Sequence, residues 1–165
     1  MALPAARTEV DAPVTCHAPP RPALVAADLG YSAFAERNSP RYTRYAEARL
    51  AADARAASVV GATLTYARRN WTWLLSQPSP AADVWEELRF QVRCGCEETM
   101  PRDADVAVLY DRLPETSADS VVLCRHLGLC VGEAAELMGL EPPAVKAGLG
   151  IARRALPHLA DGVPG

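Results

Sequence analysis

Five cysteines, three histidines and a few basic residues near the C-terminus are the side chains of this chain best suited to chemistry. Cys94-Gly-Cys96, Cys124 and His126 would together offer the thiolate and imidazole donors that zinc takes. A single residue between paired cysteines matches no standard zinc module, which sets two or more residues between paired ligands. Free thiols are the better reading, and we assign no metal ligand. The odd cysteine count and the lack of a leader-like N-terminal segment lead us to expect a reducing, cytoplasmic setting. His17, His126 and His158 share no motif, and no phosphate loop or paired-carboxylate motif occurs. No catalytic residue and no cofactor are therefore expected, and the chain does not read as an enzyme.

Lys146, Arg153 and Arg154 could neutralise phosphate, and Lys146 is the only lysine of the chain. The alternative is an ordinary solvated helix face. Trp71 and Trp73 could stack on unpaired bases, since every base has an aromatic face. Trp71 falls on an apolar stripe and suits a core, which leaves Trp73 as the stacking candidate.

The elements that would position these groups are helices. Residues 1–28 hold five prolines without helical or strand periodicity, and read as a flexible tail. From residue 29 to 92 the apolar spacing is helical. Tyr31 and Phe34 open a face that is interrupted near Ser39-Pro40, and Tyr42, Tyr45, Ala46 and Leu50 follow. A long helix is expected over Ala51–Leu75 with Val59, Val60, Leu64, Ala67 and Trp71 inward. Pro78 and Pro80 break it, and another helix is expected from Ala82 to Val92. Residues 93–104 are polar and read as a linker. Residues 105–160 carry four more helical patterns, punctuated by Pro114, Gly128 and Gly139. Residues 161–165 form a short tail. The expected fold is all-α: two small helical domains, the second a four-helix domain with a helix-turn-helix.

That motif lies in Val131–Leu156. Ala135 is small where a second helix must cross, Gly139 permits a tight turn, and Val145 plugs the second helix into the first. From Leu113 to Leu156 the chain reads LPETSADSVVLCRHLGLCVGEAAELMGLEPPAVKAGLGIARRAL. This resembles, without a gap, the C-terminal DNA-binding domain of extracytoplasmic-function sigma factors of RNA polymerase. The matching positions include Leu113, Pro114, Gly128, Leu129, Glu133, Ala135, Leu137, Gly139, Val145, Lys146, Leu149, Ala152, Arg153 and Leu156. The first half is similar more weakly, through residues 34–50, Val59-Val60 to Trp71, and Trp85 with Leu88.

The resemblance implies a first domain that docks on core RNA polymerase and a second whose last helix enters the major groove of promoter DNA. It places Val59, Val60, Arg68 and Arg69 on a polymerase- or partner-binding surface. Trp73 falls beside the melted strand, and Lys146, Arg153 and Arg154 fall on DNA. The departures fall on the contact positions. Ala57, Ser58, Gly61 and Ala62 stand where the family carries acidic and Gln-Glu pairs around the docking helix. Glu141, Ala144, Ala147, Gly148 and Ile151 stand where the family faces DNA with hydroxyls and arginines. None of these can fork onto a guanine or bond an adenine edge.

Composition agrees with weak DNA contacts. The net charge is -3 and the pI about 5.6. From residue 101 onward, 6 basic residues face 9 acidic ones, so phosphate neutralisation has little to draw on. No apolar run approaches a membrane span, and no membrane role is expected. Two functions follow. One is a divergent sigma factor that directs or modulates polymerase at promoters. The other is a sigma-fold regulator that has lost those contacts and binds an anti-sigma factor, another regulatory protein or a copy of itself. Ile151, the only isoleucine, falls on the outward side of the last long helix and suits such a partner, unless it packs under the residues around Leu159.

Overall fold

The structure, a computed structural model, describes residues 22–96 and 103–160, and every regular element among them is helical. The order is α1 (Pro22–Arg49), α2 (Asp53–Arg69), α3 (Trp71–Leu74), α4 (Pro80–Cys96), α5 (Ala104–Arg112), α6 (Glu115–Val121), α7 (Val131–Met138), α8 (Pro142–Ala155) and α9 (Pro157–Ala160). After α6 the chain continues in a wide turn, Val122–His126, closed by Leu127 N–H donating to Val122 O at 2.9 Å. Residues 1–21 of the expected tail, 97–102 of the expected linker and 161–165 lie outside the described residues. No helix among the described residues is long and apolar enough to cross a membrane.

Four boundaries differ from the sequence reading, one of them at the linker expected over 93–104, where residues 93–96 complete α4 and Ala104 opens α5. Residues 22–28, expected in the tail, form the first turns of α1. Pro22 opens the helix, where its missing N–H costs nothing. The interruption expected at Pro40 does not occur, and α1 runs through it. An internal proline costs a helix about 3 kcal/mol or more. Burial of Tyr42, Tyr45, Ala46 and Leu50 just beyond it offsets that cost. The last difference is a break at Asn70, which splits the expected Ala51–Leu75 helix into α2 and α3. The Asn70 side chain and backbone N–H both donate to Tyr66 O, at 2.9 and 3.1 Å. The turn carries Trp71 between Tyr31 and Phe34, with ring centroids 5.8 and 5.1 Å away.

α1, α2 and α4 pack around Tyr42, Tyr45, Leu50, Val59, Val60, Leu74, Trp85 and Leu88. Tyr45 and Trp85 meet at 4.6 Å between ring centroids. In the second half, α6 packs along α8, and α7 crosses α8. The buried residues of both halves belong to one apolar cluster.

Two glycines are fixed by close approach. Gly139 ends α7 in a left-handed conformation, φ +64°, and a Cβ there would lie 2.6 Å from Ala82 Cα in the first turn of α4. The turn of the helix-turn-helix is thus seated on the first half of the molecule. Gly148 was expected to face outward. Instead it is buried against α6, and a Cβ there would lie 2.8 Å from Ser120 Oγ and 3.3 Å from Ser117 Cα. With Val145 and Ala152 it forms the inward face of α8.

These contacts separate the glycines experimentally. Gly139→Ala is expected to cost about 3 kcal/mol through strain and clash, and Gly148→Val about 2 kcal/mol through overpacking. Gly61→Ala, with nothing within 4 Å of the new Cβ, is expected to stabilise α2 by about 0.5–1 kcal/mol. Urea denaturation of the three variants checks both directions.

Candidate functional site

The helix-turn-helix is built by local rules. Cys130 caps α7: its Sγ accepts from Glu133 N–H at 3.4 Å, and Glu133 Oε2 accepts from Cys130 N–H at 2.9 Å. The Cys130 backbone and thiol bonds hold the Glu133 carboxyl below its ordinary value. Gly139 makes the turn, and Pro142 and Pro143 occupy the first turn of α8.

α8 buries Val145, Gly148 and Ala152 and leaves Ala144, Lys146, Ala147, Ile151, Arg153 and Arg154 exposed. Lys146 and Arg153 lie on one flank. Ala144, Ala147, Ile151 and Ala155 lie on the other, with Arg154 between them. Ile151 is 39% exposed. The exposed face is therefore half basic and half small-apolar. It has no hydroxyl or amide side chain to read a base edge.

The candidates of the first half divide. Val59 and Val60 are 6% and 4% exposed, inside the core between the helices of the first half. This corrects their assignment to a docking surface: their side chains hold the bundle together and cannot reach a partner. Arg68 and Arg69 are exposed, and the Arg68 guanidinium lies 6.0 Å from the centre of the Tyr31 ring. Trp73 is 51% exposed and available for stacking, whereas Trp71 is core. Trp73 and the basic residues of α8 belong to different halves of the molecule.

The cysteines go to separate places. Cys94 is exposed, and Cys96 Sγ lies 3.6 Å from Arg49 O. Cys124 is half-buried, and burial raises its thiol pKa. His126 Nδ1 lies 3.9 Å from an Asp103 carboxylate oxygen. Among the described residues no group of three or more metal-ligating side chains converges.

The most elaborate polar arrangement is one that sequence patterning does not point to. It lies on the seam between the halves. Asp119 of α6 is 0% exposed. Its Oδ1 accepts from Tyr45 Oη at 2.6 Å and from Tyr110 Oη at 2.5 Å. Its Oδ2 lies 3.2 Å from Arg89 Nε, an ion pair without hydrogen-bond alignment. Arg89 also reaches Glu115 and Glu86, each at 2.6 Å, and Arg93 reaches Glu115 at 2.8 Å. Arg49 donates to Tyr45 Oη at 3.0 Å, and its guanidinium carbon sits 3.3 Å from the centre of the Tyr110 ring. Burial, with the Asp119 charge behind it, pushes both tyrosine hydroxyls well above their usual range, so they remain donors. Burial also pushes the Asp119 carboxyl above its ordinary value, against the pull of two tyrosine donors and two arginines. Farther along the seam Arg37 pairs with Glu136 at 2.6 Å, Arg41 lies 3.5 Å from Glu133, and Arg44 donates to Leu127 O at 2.8 Å.

Comparisons with known proteins leave the family open. No family model matches the chain, and no curated protein matches it. A solved structure of the RsbN-BldN complex contains a chain similar to this one at 23% identity. The match covers 83% of this chain and 96% of that chain, with a TM-score of 0.39. At that TM-score the likeness carries no argument about function.

Removing the Asp119 side chain tests the seam. Asp119→Ala leaves two tyrosine hydroxyls without their acceptor and takes a buried opposite charge from beside Arg89, and a loss of about 3–5 kcal/mol is expected. Asp119→Asn keeps an acceptor and should cost less, about 1–2 kcal/mol. The native state holds the Asp119 proton more tightly than the unfolded chain does. Its own contribution is therefore full below the ordinary carboxylate range and is lost as the pH rises through the raised value. Chemical denaturation across that window should show this slope in the wild type and not in Asp119→Asn.

Proposed function

We propose that this chain is a sigma-factor-like regulator of transcription that reaches its target through α7 and α8. The observation that carries the reading is the helix-turn-helix itself: a capped α7, a left-handed Gly139 and an α8 whose outer face is exposed. The gap-free sequence resemblance over Leu113–Leu156 supports it. Core RNA polymerase and promoter DNA are the partners of this reading, and it assigns no catalytic residue. Purified core polymerase mixed with the tagged full chain tests it. Co-elution at near-stoichiometric yield is the expected result, and failure to co-elute overturns the polymerase contact.

A second reading, contact with another regulatory protein such as an anti-sigma factor, draws on one specific observation. Half of the exposed α8 face is Ala144, Ala147, Ile151 and Ala155, which offers nothing to phosphate or base edges. Burying the Ile151 side chain against a partner would contribute about 1.5–3 kcal/mol.

Ile151→Arg separates the two. The side chain is exposed, so the variant should keep the wild-type melting temperature. If α8 meets DNA, the added charge should tighten binding of labelled duplex and steepen its salt dependence by about one ion. If α8 meets protein, duplex binding should stay weak while the partner contact is lost. Fluorescence anisotropy at two salt concentrations checks the first outcome.

A further inference from the structure

A cavity of about 310 Å³ opens where α1 meets the start of α5 and the wide turn. Val106 and Leu127 give it an apolar lining, and Arg44, Glu47, Asp103 and His126 give it polar and charged groups. Small-molecule sites are concave and largely apolar with a few convergent polar groups, and this volume falls at the small end of their range of about 300–1,000 Å³. The wide turn that carries His126 to the cavity is of a kind frequent at functional sites.

The polar groups are unequally satisfied. Asp103 caps α5, accepting from Asp105 N–H at 2.9 Å, and its other oxygen lies 3.9 Å from His126 Nδ1. Glu47 is half-buried, yet among the described residues it meets no cation and no hydrogen-bond donor. Arg44 stands three residues before Glu47 on α1, at the spacing of a helical ion pair. It donates instead to Leu127 O at 2.8 Å and leaves the Glu47 carboxylate open. That bond uses one guanidinium nitrogen, and the fork has further N–H donors to offer. An open carboxylate and an open guanidinium, one helical turn apart beside an apolar lining, match an ammonium and a carboxylate held close together on a small apolar body.

We propose that this cavity binds a free α-amino acid with an aliphatic side chain: Glu47 takes the ammonium, Arg44 the carboxylate, and Val106 with Leu127 the side chain. A plain amine would leave Arg44 unanswered, and a plain carboxylic acid would leave Glu47 unanswered. A phosphate ester would set its charge against the carboxylates of Glu47 and Asp103. Arg44 and Glu47 belong to α1, and the apolar lining belongs to α5 and the end of the wide turn, so the ligand bridges the seam. The inference stands whether α8 meets DNA or protein, because none of its residues belongs to α8.

The test titrates the isotope-labelled full chain with L-leucine and follows the backbone amide signals of Glu47, Val106 and His126. A ligand of this size should bind with a Kd of about 1 mM or tighter. Isocaproate, which lacks the ammonium, and isoamylamine, which lacks the carboxylate, should each bind about tenfold more weakly. Glu47→Gln should weaken L-leucine about tenfold as well. The free variant should keep the wild-type melting temperature, because the native carboxylate has no partner to lose. Glu141→Gln removes a carboxylate at an exposed position ahead of α8 and should bind L-leucine as the wild type does. L-leucine should also raise the melting temperature of the wild type and of Glu141→Gln, and not that of Glu47→Gln. The proposal is overturned if about 10 mM leucine, isoleucine or valine leaves those amide signals unmoved. It is equally overturned if the amine or the acid alone binds as tightly as the amino acid, or if Glu47→Gln keeps full affinity.

Discussion

The arrangement of the molecule turns on one buried carboxylate. Asp119 has no solvent exposure, yet it gathers two tyrosine hydroxyls and an arginine from three other helices. Burying a carboxylate is costly unless donors and an opposite charge are brought close to it. Meeting those demands brings α1, α4 and α5 to α6, and so joins the two halves. The apolar cluster that runs through both halves adds non-directional attraction. The Asp119 network adds direction, because hydroxyl and guanidinium donors fix where α6 must sit.

The helix-turn-helix inherits its position from that seam. α6 carries α8 on its far side through the approach at Gly148, and α7 places Gly139 on the first turn of α4. Both glycines serve where backbone must come close to another element, and Gly139 also adopts the left-handed conformation that its turn requires. Arg37, Arg41 and Arg44 extend from α1 to α7 and the wide turn, but these contacts are largely solvent-exposed. Exposed ion pairs contribute about 0–1 kcal/mol each. They orient the second half more than they hold it.

The outer face of α8 is left free by this construction, and its chemistry is sparse. Lys146 and Arg154 supply positive charge, while Ala144, Ala147 and Ile151 supply a small apolar flank. A helix of that kind suits phosphate contact or protein contact better than base readout. The cationic groups of the first half are more numerous, and at the seam they are already answered by carboxylates of the second. Contact chemistry is thus concentrated inside the molecule as much as on its surface.

The sequence by itself determined the elements with strong local causes. The all-helical class, the stops at Pro114 and Gly128, the left-handed turn at Gly139 and the start of α8 at Pro142 follow from backbone sterics and apolar spacing, which act within a few residues. Trp71 was legible as core and Trp73 as exposed for the same reason. Periodicity marked Val59 and Val60 as apolar and inward, but the docking role rested on resemblance, and the bundle consumes both side chains. Only the tertiary structure decided that Pro40 stays inside a continuous α1, because burial further along the helix outweighs a local cost. Only it decided that Gly148 faces α6, and that Asp119 is the hub of the seam. An aspartate in a polar stretch carries no local mark of burial. Its partners Tyr45 and Arg89 lie 74 and 30 residues away in the chain, and no short-range rule connects groups so far apart.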